Sequence, residues 1–180
     1  MYNRFLNRKS DFETNIRLTK PKSLKEEEKF QDIVIYSYDE YIDNGYDLND
    51  VVDFYNKMFP KSQHDLSFKE NKYSQSNSIV LIAVDKEDDR VVGLLESWMS
   101  NGERLLSTVC VYEQYQGMGL LKRLHEMFIK QCKDNTIILH FRDSNKAKLE
   151  KVYNNLGYTN LQDVGSYMNG EIKWEMEYNK

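Results

Sequence analysis

Along these 180 residues the apolar positions change period several times, and each change marks an element. Residues 1–30 keep no period. Phe5, Leu6, Phe12, Ile16 and Leu18 are irregularly spaced, and the stretch ends in the charged run Lys25-Glu26-Glu27-Glu28-Lys29. We read it as an extension preceding a domain over 31–180. Ile33-Val34-Ile35-Tyr36 is β-branched and aromatic and predicts a strand. Val51, Phe54, Tyr55, Met58 and Phe59 follow helical spacing, with Pro60 placed to stop the helix. Residues 61–77 are polar and predict a loop.

Three strands are predicted next, at 78–84, 90–99 and 103–112, with turns short enough for an antiparallel meander. The loop Gln114-Tyr115-Gln116-Gly117-Met118-Gly119 then runs into a helix with Leu121, Leu124 and Phe128 on one face. Thr136 to Phe141 predicts a buried strand. Leu149, Val152, Tyr153 and Leu156 form another helical stripe, with Asp143 or Ser144 as its cap and Gly157 as its end. Tyr158–Leu161 and Ile172–Tyr178 predict two closing strands. The order β-α-βββ-α-β-α-ββ is that of an α/β fold with a mixed, mostly antiparallel central sheet and helices on both faces.

Composition narrows the partners. A net charge of −4 implies no broad cationic surface for nucleic acid. No apolar run reaches the ~18 residues of a membrane span. Asp11 and Glu13 break any transit-peptide pattern, and Cys110 and Cys132 form neither a metal-ligand cluster nor a disulfide framework. The expectation is a cytoplasmic protein with no metal.

The chemistry gathers at two places. In Val109-Cys110-Val111-Tyr112 followed by the glycine loop, a strand feeds a helix N-terminus, where free N–H groups and the helix dipole suit a pyrophosphate. The glycines also suit a plain tight turn. Downstream stand Leu139-His140-Phe141-Arg142-Asp143-Ser144-Asn145 and Tyr153-Asn154-Asn155-Leu156-Gly157-Tyr158.

These two stretches resemble motifs A and B of the GCN5-related N-acetyltransferase (GNAT) family. Motif A is Gln/Arg-x-x-Gly-x-Gly/Ala. It fits through Gln116, Gly119 and position 121, where Leu stands for Gly or Ala. A second register runs through Gln114, Gly117 and Gly119. The resemblance implies acetyl-CoA as co-substrate. Its pyrophosphate would lie on the amides of Gln116, Gly117, Met118, Gly119, Leu120 and Leu121, and its pantetheine arm along the backbone of Val109 and Val111. It also implies Asn145 at the cofactor and Tyr153 as general acid.

An amine with a pKa of about 10.4 is roughly one part in 10³ free base at neutral pH, so acetyl transfer needs a proton acceptor. His140 is the candidate base, because an imidazole titrates near neutrality. It stands near the strand end where one branch of the family carries a catalytic Glu. A half-buried sheet histidine is the other reading, as plain core is for Tyr153. Glu96 and Glu103 are alternative bases. The thioester oxygen needs an N–H, from Val111 or Cys110. Cys110 itself reads as a small core residue rather than a nucleophile. His64 and His125 receive no role.

Asp39, Glu40, Asp43, Asp47, Asp50 and Asp53 occur with no Lys or Arg among them. Read with the resemblance, they suggest a cationic acceptor such as a polyamine, an aminoglycoside, or a lysine or N-terminal amine of a peptide. A solvated acidic face is the alternative. The competing functional reading is a non-catalytic acyl-CoA-binding regulatory or interaction module.

Overall fold

The computed structural model describes residues 32–59 and 77–180. The expectations for residues 1–30, Pro60, His64 and the loop at 61–76 lie outside the described residues. The elements are β1 (Ile33–Ser37), α1 (Tyr38–Asp43), α2 (Leu48–Met58), β2 (Ile79–Asp85), β3 (Arg90–Ser100), β4 (Glu103–Val111), α3 (Leu120–Gln131), β5 (Thr136–Arg142), α4 (Lys146–Asn155), β6 (Thr159–Ser166) and β7 (Ile172–Asn179). Short 3₁₀ turns at Glu113–Tyr115 and Asp143–Asn145 precede α3 and α4.

The strands form one seven-stranded sheet in the order β1-β2-β3-β4-β5-β7-β6. Every neighbouring pair is antiparallel except β4 and β5. This agrees with the expected mixed, mostly antiparallel sheet. Alternation along β2 divides the core in two. Leu81 and Ala83 face a cluster with Leu120, Leu124 and Phe128 of α3 and Tyr153 of α4. Val80, Ile82 and Val84 face Tyr41 of α1 with Val51 and Phe54 of α2. The two faces are covered by different helix pairs, because a strand buried on both sides has to be apolar at every position. Ile79-Val80-Leu81-Ile82-Ala83-Val84 meets that condition.

Two expectations need correction. The order contains an extra helix, α1, directly after β1. Its acidic residues hid it, but Ser37 and Glu40 form a reciprocal capping box that stabilises the turn. The start of α4 is not capped by Asp143 or Ser144. Asp143 accepts the Trp174 indole N–H at 2.7 Å, and Ser144 donates its backbone N–H to Glu171. Gly157 does end α4, at φ +95°, as the stripe predicts.

β4 and β5 pair at three positions only: Arg104 with Ile137, Leu105 with Ile138 and Leu106 with Leu139. At the closed end Arg104 is buried, with Nε 2.7 Å from Asp134 Oδ2 and Nη1 on the Asn77 carbonyl. Past Leu106 and Leu139 both strands continue unpaired with each other, and the sheet opens into a cleft. Among the described residues no helix is long and apolar enough to cross a membrane.

Candidate active site

The cleft has a volume of about 590 Å³ and is lined by residues of both splayed strands and of α2, α4 and the β6–β7 turn. Its backbone edge follows from strand alternation. Tyr112 donates its N–H to the Val92 carbonyl, toward β3. Val109 and Val111, at odd spacing from Tyr112, turn their backbone groups to the other side, where β5 has departed. Gln116 donates its side-chain amide to the Val111 carbonyl at 2.9 Å. This leaves both polar groups of Val109, which lines the cleft, and the Val111 N–H turned away from β3, while the Cys110 backbone faces β3. A register shift between Glu96 and Ser97 leaves Ser107 unpaired in β4, where the splay begins.

The same strand delivers the glycine loop. Left-handed conformations fall on Gly117 (φ +72°) and Gly119 (φ +99°). Both glycines of the loop are therefore required by the backbone. Gly119 is the N-cap of α3, and no side chain caps this end. The first-turn N–H groups of Leu120 and Leu121 consequently have no intrahelical acceptor. Leu120 is fully buried, while Met118 and Leu121 pack partly against the core. These open amides and the open β4 edge fit a pyrophosphate carrying an extended amide arm.

The parting of β4 and β5 brings residues from opposite faces of the sheet into one cleft. Tyr153, on the α4 face, is 9% exposed and lies parallel to Phe141, with ring centroids 6.2 Å apart. Burial pushes its phenol pKa up to about 12. Among the described residues no protein acceptor takes its hydroxyl. His140 lies on the other face of β5, opposite Glu175 of β7, with Nε2 2.7 Å from Glu175 Oε2. The second Glu175 oxygen accepts from Gln162. The ring therefore carries its proton on Nε2 and leaves Nδ1 as the basic nitrogen.

Glu96 lines the cleft, is 3% exposed and accepts a hydrogen bond from Thr108 Oγ1 at 3.0 Å. Burial, and then the Glu96 charge, push the nearby Tyr55 phenol up to about 12. Asn145 and Leu149 line the α4 side, and Asn145 is exposed.

Other sequence candidates do not enter. Glu103 sits exposed beside the β3–β4 turn, outside the cleft. Cys110 is buried, and desolvation raises its thiol pKa well above the ordinary range, which removes it as a nucleophile. None of the six acidic residues at 39–53 lines the cleft. Glu40 closes the α1 capping box and Asp47 caps α2 through the Asn49 N–H. Asp50 and Asp53 border a separate shallow depression beside Lys57, Arg90 and Tyr112. The acidic segment is a helix-capping and solvated face.

The sequence reading missed Glu175, Thr108, Trp98, Arg142, Tyr167 and Lys173. Alternation puts Lys173 and Glu175 on one face of β7. Only the β5–β7 register shows what they oppose.

The model of the acetyltransferase (GNAT) domain family matches residues 36–180. No curated protein matches the chain. Among solved structures, an acetyltransferase from Streptococcus agalactiae 2603 is 21% identical at a TM-score of 0.63, over 84% of this chain and 100% of that one. An aminoglycoside 6'-N-acetyltransferase complexed with coenzyme A is 16% identical at 0.62, over 81% and 96%. The NatC complex bound to Gag peptide and CoA includes a chain 18% identical at 0.61, over 83% and 99%. These structures share the fold. A family match that runs from the end of β1 through β7 makes this chain an N-acetyltransferase of the GNAT family.

Proposed function

We propose that the chain transfers acetyl from acetyl-CoA to the nitrogen of an amine that arrives as a cation, by direct attack and without an acyl-enzyme. The observation that carries this reading is the parting of β4 and β5 after Leu106 and Leu139. It opens the Val109–Val111 edge to a pantetheine arm. It also lets Tyr153 and His140 line one cleft from opposite faces of the sheet.

Acetyl-CoA supplies an activated acetyl group as a thioester. The buried Glu96 carboxylate, with Tyr55, Phe59 and Trp98 around the same cleft, suits an incoming ammonium. His140 Nδ1 takes one proton from the bound ammonium, which frees the nitrogen lone pair for attack, and passes that proton to solvent. The second nitrogen proton, released as the C–N bond forms, replaces the one that Tyr153 gives to the sulfur. The Val111 N–H faces the developing oxyanion. Tyr153 gives its proton to the sulfur as the C–S bond breaks. Asn145 borders the cofactor side.

The test is calorimetric titration with acetyl-CoA, followed by thiol release across a panel of amines. Binding with turnover is expected. Gly119→Val forces a β-branched residue into a left-handed position at the mouth of the loop. It should weaken acetyl-CoA binding at least tenfold in protein that still unfolds cooperatively. Unchanged affinity would remove the cofactor from this loop. Binding without turnover on any amine would favour the non-catalytic module.

A further inference from the structure

We infer that the acceptor carries a carboxylate a few bonds from its amine, and that Lys173 and Arg142 hold that carboxylate at the mouth of the cleft. This deepens the acetyltransfer reading and rests on it. Arg142 and Lys173 are direct partners across β5 and β7, and both line the cleft. Two cations directly opposite on adjacent strands repel, and the carboxylates of Glu171 and Glu175 stand beside them.

The carboxylates at hand are engaged. Glu171 accepts from Arg142 Nη1 at 3.2 Å and from the Ser144 N–H at 2.9 Å. Glu175 is held by His140 on one oxygen and Gln162 on the other. Arg142 also lies over the Tyr167 ring, 4.2 Å from its centroid. The Lys173 side chain has no hydrogen bond or ion pair among the described residues, although the residue is half-buried. Ser166 adds a hydroxyl to the same rim. The result is a Lys173 ammonium with no side-chain partner of its own beside a fixed guanidinium in a cleft, where both neighbouring carboxylates are already held by other donors.

The position along β5 sets the spacing. His140 and Arg142 are two residues apart on one face, which separates their Cα atoms by roughly 7 Å. His140 lies on the inner side, next to the closed end at Leu139. Arg142 and Lys173 lie outward. An acceptor with its amine inward and a carboxylate a few bonds away spans this distance. A free amino acid offers that carboxylate as its own terminus. A peptide offers it as an acidic side chain near its N-terminus. A polyamine would place a second cation against Lys173 and lose affinity.

The experiment measures thiol release by the full chain with matched acceptors: glycine, β-alanine, γ-aminobutyrate and their carboxamides, Asp-Ala and Asn-Ala dipeptide amides, and spermidine. Within one matched pair, kcat/KM for the carboxylate should exceed that for the amide about tenfold, through KM. Preference among the free amino acids identifies a carboxyl terminus, and preference for Asp-Ala identifies an acidic side chain. Lys173→Met should bring the ratio toward one, and Lys173→Arg should preserve it. Amides matching carboxylates throughout, spermidine as the best acceptor, or an undiminished ratio in folded Lys173→Met would overturn this inference alone. Acetyl-CoA binding with no turnover on any acceptor would overturn the acetyltransfer reading and this inference with it.

Discussion

His140 and Glu175 oppose each other directly across β5 and β7, with Nε2 and Oε2 2.7 Å apart. The carboxylate fixes the tautomer and the ring orientation, so Nδ1 is left to take a proton. His140→Gln should lower kcat/KM at neutral pH by about 10²-fold and abolish the acidic limb of its pH profile. Part of the rate should return at high pH, where more acceptor is free amine. Glu175→Gln should lower kcat less, because the ring remains but is no longer held in one tautomer. An acidic limb that survives in folded His140→Gln would move the base to Glu96.

Tyr153 is a proton donor only while protonated, and burial pushes its pKa up to about 12 from near 10. A raised pKa keeps the phenol neutral to higher pH. Tyr153 should therefore produce no loss of kcat below about pH 11. Tyr153→Phe retains the ring beside Phe141 and should lower kcat about 10²-fold with little change in thermal stability. Equal kcat in the two proteins would leave the sulfur to be protonated by water.

Some of this was legible in the chain. The β2–β3–β4 meander was, because its strands are apolar runs joined by short polar turns. The place of Tyr153 on its helix and the left-handed turn of the glycine loop were, because both follow from local spacing. The full length of β6 was not. Gln162-Asp163-Val164-Gly165-Ser166 is polar, as an outer strand is allowed to be, and the expected strand stopped at Leu161. The splay was invisible too, since β4 and β5 read as uninterrupted strands and only their pairing stops. Glu175 and Lys173 acquire their meaning from residues about 30 positions away. The acidic run at 39–53 left two readings open, because capping carboxylates and ligand-binding carboxylates look alike in one dimension.

His125 makes a separate forecast about stability. It is 4% exposed, beside the Tyr158 hydroxyl at 3.3 Å, and burial lowers its pKa to about 4 from 6.5. The folded state thus prefers neutral His125. The stabilising contribution is present above pH 6.5 and is lost as pH falls from there toward 4. It should amount to something on the order of 2 kcal/mol after allowance for residual solvent screening. Urea unfolding at pH 7.5, 6, 5 and 4.5 should show the loss, and His125→Gln should flatten it. Parallel curves for the two proteins would assign the acid sensitivity elsewhere.

Glu171 makes the last forecast, because it ties the β6–β7 turn to the start of α4. Its two oxygens accept from Arg142 and from the Ser144 N–H, and Ser144 hydrogen bonds foremost hold its pKa down to about 2 from 4.5. A lowered pKa means that the carboxylate form is the one bound. The tie is complete above about pH 4.5 and weakens only as pH falls toward 2. Over the working range of an amine acetyltransferase the turn is therefore held. That turn carries Tyr167 and Met168 to the cleft, with the Tyr167 N–H on the Glu171 carbonyl at 2.8 Å. Glu171→Ala removes both side-chain bonds and leaves the backbone intact. Backbone amides of residues 167–170 should then exchange faster with deuterium. KM should rise roughly fivefold for the amide acceptors, since the wall is loosened, and less for the carboxylate acceptors, which gain the Arg142 charge that Glu171 had answered. The dissociation constant for acetyl-CoA should stay as it was, because the Glu171 carboxylate bonds to Arg142 and Ser144 and not to the glycine loop or the β4 edge. Faster exchange with unchanged KM would show that the turn is held by Glu171 but does not contact the acceptor. Unchanged exchange would show that the turn stands without it.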